Sequence, residues 1–403
     1  MPLPVPPDFA PAPTAAERAR WTEADASARP ARLARLRARL DADGLDAYLG
    51  IRPENARYLT GFTLGDGEDR VAGNSGRFLV SAEQVVVLAD SRYTIQAVRE
   101  APGARVEPVT YDMAAGWPAL TGSIGARRVA VEAGYVSHAA WRALEGAAPD
   151  VELVPIDGWI EADRATKEPA EVERIRAAAA VADRALAALL PEIRPGATEV
   201  ELAWRLEVLM RTSGADGLAF DVACLAGPEA ALPHGSPGDR PVRDGAVLLF
   251  DFGACVDGYR SDMTRTLFVG EPSGRDLDVY GVVARAQQAT IDLLRRCITD
   301  GAAPSGRAAD AAARAVIQAA GMGERFGHGT GHGIGLATHE EPSLSRVAPE
   351  TPLPSPTVFS VEPGVYLEGE TGVRIEDLVL LDVAAGRLDH LTTFPRGILV
   401  VGR

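Results

Sequence analysis

The chain has 403 residues, more than one ordinary domain holds, so two domains are expected. Its composition, 46% hydrophobic and 24% charged, is that of a globular protein, and no stretch approaches the roughly 18 apolar residues that a membrane span requires. With 41 Lys and Arg against 56 Asp and Glu, the net charge of -15 disfavours nucleic acid or an anionic membrane as partner.

The start, MPLPVPPDFAPAP, lacks a basic segment followed by an apolar one, so no secretory signal is read and a soluble, cytoplasmic protein is expected. Cys224, Cys255 and Cys297 are widely spaced, without a CxxC or Cys/His pattern, which excludes a disulfide framework and a thiolate zinc site. Buried thiols are expected. Residues 1–16, rich in Pro and Ala with no apolar period, read as a flexible arm. From Arg29 the sequence predicts an amphipathic helix with leucines at 33, 36 and 40, closed by Gly44. Strand-like runs follow at 76–80, 84–89 and 127–132, alternating with helical stretches, so residues 17–160 are expected to form an α/β domain.

A second domain is expected over 161–403. Pro169 and a long Ala/Leu-rich run predict a helix over 169–191. A capping box of Thr198 and Glu201 opens another, over 198–213. Strands to about 269, helices over 276–299 and 305–320, and further strands then give this half a two-fold internal order, with a unit far longer than that of a solenoid repeat.

The chemistry is concentrated in that half. In VLLFDFGACVDGYRSDMTRTLFV, Asp251 ends an apolar run and Asp257-Gly258 is a hairpin signal. A two-residue loop pairs 256 with 259 and 251 with 264, which brings Asp251 and Asp262 diagonally together on one sheet face. Two like charges in an apolar core would cost several kcal/mol or be forced to protonate, and a cation resolves that conflict. In VFSVEPGVYLEGETGVRIEDLVLL, Glu362 and Glu376 flank a Gly-rich turn and can meet across a second hairpin. Four acids with one histidine form an oxygen-rich set with room for two divalent ions, Mn²⁺, Co²⁺ or Zn²⁺. Asp257, Glu368, Glu370 and Asp377 read as turn or surface acids. GHGTGHGIG lacks the Lys-Ser/Thr ending of a phosphate loop and carries histidines instead.

The succession FDFG, SDMTRT, GHGTGHGIGLATHEEP, VEPGVY and VRIEDLVL resembles the pita-bread metallopeptidases, in the branch of aminopeptidase P and prolidase. LADSRYTIQA in the first half is similar to a stretch of that branch's N-terminal domain. The resemblance implies an α/β N-terminal domain followed by an α+β pita-bread catalytic domain. It further implies a dinuclear-metal enzyme, most simply with Mn²⁺, that hydrolyses the bond between an N-terminal residue and a following proline. By motif, Asp251 would bind one ion, Asp262 and Glu376 would bridge both, and His332 with Glu362 would complete the other. Glu362 would act as general base, His234 and His339 would hydrogen-bond substrate or the tetrahedral intermediate, and His328 would line the pocket. Arg374 and Tyr366 would brace the acidic ligands.

The partners implied are a peptide with proline second and further copies of the chain, as a homodimer or homotetramer. A strict Xaa-Pro dipeptidase shares every motif. A metal-free relative such as creatinase and a non-catalytic pita-bread binding protein are alternatives that the intact acids disfavour. A methionine aminopeptidase usually lacks so long a preceding domain.

Overall fold

In the computed structural model, which describes residues 9–402 other than Asp66 and Tyr111, the chain forms two compact units. One is Ala16–Asp163; the other runs from Arg164 onward and includes the segment before Ala16.

The first unit is built from α1 (Ala15–Ala42), β1 (Ala47–Gly50), α2 (Pro53–Thr60), β2 (Phe78–Ser81), β3 (Val85–Ala89), α3 (Thr94–Glu100), β4 (Arg105–Pro108), α4 (Met113–Ser123), β5 (Arg128–Glu132), α5 (His138–Ala147) and β6 (Glu152–Ile156). Its sheet has the order β4-β3-β2-β1-β5-β6, with β2 antiparallel to β1 and β3 and the outer pairs parallel. Ala47, Leu49, Leu79, Val129 and Val131 pack with Trp117 and Leu144 into its core.

Helix α1 starts fourteen residues before the helix expected from Arg29 and carries Pro30 in its interior. A proline there costs about 3 kcal/mol. Burial of Trp21, Leu36 and Leu40 outweighs that cost. The first half has only Trp21 buried on an otherwise polar, Ala-rich surface, so its apolar period is too weak to read. Part of the expected arm, residues 1–8, lies outside the described residues. Beyond it, Phe9 stacks on Phe394 with ring centroids 6.5 Å apart, and Arg184 donates to the Ala10 carbonyl.

A short helix, α6 (Trp159–Ala165), leads into the second unit. There follow α7 (Pro169–Leu189), α8 (Glu199–Thr212), β7 (Gly217–Leu218), β8 (Ala223–Ala226), β9 (Val247–Phe252), β10 (Ala254–Val256), β11 (Tyr259–Arg260) and β12 (Met263–Val269). Helices α9 (Gly274–Thr299) and α10 (Gly306–Ala319) precede β13 (Gly331–Gly333), β14 (Glu340–Leu344), β15 (Thr357–Val361), β16 (Gly364–Leu367), β17 (Thr371–Arg374), β18 (Asp377–Asp382), β19 (Arg387–His390) and β20 (Val400–Val401). The order is therefore two helices and strands, twice over. Thr198 and Glu201 form the expected capping box at the start of α8.

Two larger sheets, β20-β12-β9-β8 and β14-β13-β15-β18-β19, and two smaller ones, β11-β10-β7 and β16-β17, carry the unit, and the apolar faces of α9 and α10 close over Val247, Leu249, Phe268, Val365 and Val373. Cys224 and Cys255 are buried, and Cys297 is partly so. Among the described residues no helix is long and apolar enough to cross a membrane.

Candidate metal centre

Two hairpins bring the acids together. In the first, Asp257 and Gly258 both adopt positive φ, +46° and +72°, the turn that a two-residue hairpin needs. Val256 pairs with Tyr259 and Asp251 with Thr264, the expected register. In the second, Val361 pairs with Asp377 and Gly364 with Arg374, so the same register sets Glu362 opposite Glu376. Asp251 is held within β9, whereas Asp262, Glu362 and Glu376 lie where the ladders are interrupted, between β11 and β12, β15 and β16, and β17 and β18. The unpaired stretches leave those three side chains free to turn toward Asp251.

They converge with His332. Ligand atoms of Asp262, His332 and Glu376 lie within 4.8 Å of one another. His332 Nε2 is 3.3 Å from Glu362 Oε1 and 3.6 Å from Asp262 Oδ2. Because His332 Nδ1 is 3.0 Å from the Gly333 carbonyl, which only accepts, Nδ1 carries the proton and the Nε2 lone pair faces the carboxylates. Gly331, one residue earlier, must be glycine: a Cβ there would fall 1.9 Å from the Ser360 carbonyl oxygen. The close approach lets Ser360 Oγ accept from His332 N and donate to Glu362, both at 3.0 Å.

The electrostatics call for a cation. Burial first, and then the neighbouring carboxylates, push Asp262 and Glu376 well above the ordinary carboxyl range, and burial raises Glu362. Asp251 Oδ1, Asp262 Oδ1 and Glu376 Oε1 are buried without a hydrogen-bond partner. Buried acceptors rarely remain unmet. Three orphaned oxygens and an imidazole lone pair aimed into one space fit the donor set of hard divalent ions.

Arg374 organises the periphery. It donates through Nη2 to Asp251 at 2.6 Å, through Nε to Thr264 Oγ1 at 2.9 Å, and through Nη1 to Tyr366 at 2.8 Å and the Pro233 carbonyl at 3.3 Å. Thr264 Oγ1 in turn donates to Glu376 at 2.8 Å. Tyr366 thus braces the acids through Arg374 rather than directly. Its oxygen lies 2.8 Å from His328 Nε2, while His328 Nδ1 is 2.7 Å from the Gly329 carbonyl, so both ring nitrogens of His328 are engaged. His339 lies beside His332, ring centroids 4.1 Å apart. Burial lowers the pKa of His328, His332 and His339, keeping them neutral.

All five expected ligands, with Arg374, His234, His328 and His339, line one cavity of about 500 Å³. Sequence reasoning missed Phe220, Asp221, Ser343 and Ser345 in its wall. It also missed Thr264, although its place opposite Asp251 follows from the hairpin register. Asp377, expected at the surface, is instead buried, accepting from Arg265 at 2.7 Å, Gln287 at 3.0 Å and Thr392 at 2.8 Å. The cause is the extension of the ladder through Val361, which draws Asp377 into the sheet.

Known proteins resemble this chain in sequence and fold. Residues 173–382 match the model of metallopeptidase family M24, and residues 32–166 match that of the creatinase/prolidase N-terminal domain. A Bacillus subtilis protein described as an uncharacterized peptidase, YqhT, is 33% identical over 358 residues, 89% of this chain and 96% of that one. An Xaa-Pro dipeptidase from Bacillus anthracis superposes with a TM-score of 0.82 at 32% identity, over 93% of this chain and 100% of the other. An X-Pro aminopeptidase from Thermotoga maritima does so with a TM-score of 0.78 at 36% identity, over 92% and 100%.

The chain belongs to metallopeptidase family M24 and is a metallopeptidase of pita-bread fold. Within that family it stands in the prolidase and aminopeptidase P branch, whose N-terminal domain it also carries. Membership implies divalent metal, and the carboxylate and histidine cluster is the site suited to it.

Proposed function

We propose that the enzyme is an Xaa-Pro aminopeptidase, hydrolysing the bond between an N-terminal residue and a following proline in peptides longer than two residues. Asp251, Asp262, His332, Glu362 and Glu376 would hold two divalent ions. The oxygen-rich donor set favours Mn²⁺, with Co²⁺ or Zn²⁺ as substitutes. Bound there, the ions would polarise the scissile carbonyl and make water a nucleophile at neutral pH.

The chain's own groups do the rest. Glu362 takes the proton of the attacking water and passes it to the prolyl nitrogen, which must gain one as the C–N bond breaks. His339 and His234 donate to the oxygen that becomes negative. Arg374 and Tyr366 keep Asp251 and the loop carrying His234 in place. The domain limits near residue 160, an oligomeric state of two or four chains, and a cytoplasmic location complete this reading.

One observation favours the aminopeptidase over the dipeptidase. Among the described residues lining the cavity, Arg374 is the one Arg or Lys, and it is committed to Asp251. The free carboxylate of an Xaa-Pro dipeptide would meet a negative pocket, whereas the proline of a longer peptide presents a neutral amide.

Mn²⁺-reconstituted enzyme tests this with Ala-Pro, Ala-Pro-Phe and Ala-Ala-Phe, the products being identified by mass. Cleavage of Ala-Pro-Phe to alanine and Pro-Phe is expected. Turnover of Ala-Pro alone would make the enzyme a dipeptidase, and preference for Ala-Ala-Phe would remove the proline specificity.

A further inference from the structure

The cavity wall contains one acid that the metal centre leaves unused. Asp221 is exposed, lines the cavity, and has no hydrogen bond or ion pair among the described residues. Glu192, Asp257, Glu199 and Glu350 elsewhere in this unit are each held by an arginine, which leaves Asp221 open to a cationic partner from outside. Of the four inner acids, Asp251 is held by Arg374, Glu376 by Thr264 and Glu362 by Ser360, and Asp262 belongs with them to the metal centre.

Its place follows from strand register. Ala223 stands directly opposite Asp251, so the two side chains share a face of the sheet. Asp221, two residues before Ala223 and just outside β8, lines the same cavity; continuing the register would set it opposite Gly253, two strand spacings or roughly 10 Å from the row of Asp262. A substrate's α-amino group, two bonds from the scissile carbonyl carbon, stays with the inner acids. The side chain of the same residue can cover the distance. Half-buried Phe220 beside Asp221 offers an apolar wall to a long aliphatic stem.

We propose that Asp221 is a specificity-determining residue that receives the basic side chain, lysine or arginine, of the substrate's first residue. This rests on the reading that peptides enter with their N-terminal residue in this cavity. Lysine's four-carbon stem carries its charge across the gap, and arginine can take the carboxylate through two donors. A neutral side chain of equal length makes the apolar contact alone.

The test compares kcat/KM for Lys-Pro-Phe with that for its norleucine analogue, at low ionic strength, in Mn²⁺-loaded wild-type, Asp221→Asn and Asp221→Lys enzymes. The wild-type ratio should be about five to ten in favour of lysine and should shrink as salt is added. It should fall to about one in Asp221→Asn and below one in Asp221→Lys. A wild-type ratio near one, or a preference that survives both substitutions, overturns the assignment. Calorimetric binding of L-lysine against L-norleucine, the released first residues, reads the same subsite without catalysis and should show the same order. If Lys-Ala-Phe is cleaved as well as Lys-Pro-Phe and lysine is still preferred over norleucine, the role of Asp221 stands and only the proline reading falls.

Discussion

Arg374 Nη2 lies 2.6 Å from Asp251 Oδ2, and the same guanidinium reaches Thr264, Tyr366 and the Pro233 carbonyl. A single buried cation thereby ties the first hairpin, the second hairpin and the loop carrying His234 to one another. Arg374→Met should fold, because the stem packs alike, yet metal affinity should weaken about 10- to 100-fold through the loosened Asp251. Calorimetric titration with Mn²⁺ measures this, and unchanged affinity would reduce Arg374 to packing.

Asp262→Asn should have opposite effects with and without metal. In metal-free protein it removes one of the mutually repelling buried charges, so thermal stability should rise by a few degrees, on the order of 1 kcal/mol. With Mn²⁺ present it should bind poorly, lose activity, and gain none of the stabilisation that metal confers on the wild type. Calorimetric scans of both proteins, with and without Mn²⁺, separate the two effects. A variant that keeps metal and turnover contradicts the ligand assignment.

His339→Ala should retain metal, since His332 and the acids are untouched, while kcat falls by about 10²- to 10³-fold. Metal analysis alongside steady-state kinetics decides. Loss of metal would instead make His339 a support for the ligand beside it.

Glu340, the residue after His339, is buried against Arg164 and Lys167. Burial alone would raise its pKa, but those two cations outweigh it and hold the carboxyl below its ordinary 4.5. A depressed folded pKa means that the ion pairs contribute fully above the unfolded value and are lost as pH falls through the folded one. Glu340→Gln should therefore cost about 3 kcal/mol or more at pH 7, because it leaves two buried cations without their partner. Its deficit relative to wild type should shrink below pH 4.5, which urea midpoints at pH 7 and pH 4 will show. An equal deficit at both would assign the loss to shape rather than charge.

The metal-centre acids were legible because turn chemistry fixes register. Asp257-Gly258 sets one hairpin, a Gly-rich turn sets the other, and two-residue periodicity then determines which carboxylates meet. Helices α7 to α10 were legible from long apolar periods and caps. What escaped depends on tertiary contact. The first half of α1 rests on one tryptophan, Asp377 is buried by a ladder that continues beyond its hairpin, and Asp221 is an exposed acid whose meaning comes from the strand it precedes. Buried Arg164 and Lys167 also lack a local signal, since their partner lies more than 170 residues away in sequence.

On the proposed function, one five-residue centre holds two ions, and those ions enable cleavage ahead of proline. Metal-stripped enzyme titrated with Mn²⁺, with hydrolysis of Ala-Pro-Phe followed on the same samples, tests it directly. Two ions should bind per chain, with release of alanine rising from background as they bind. Full cleavage by the stripped enzyme, or two bound ions with no release of alanine, would contradict it.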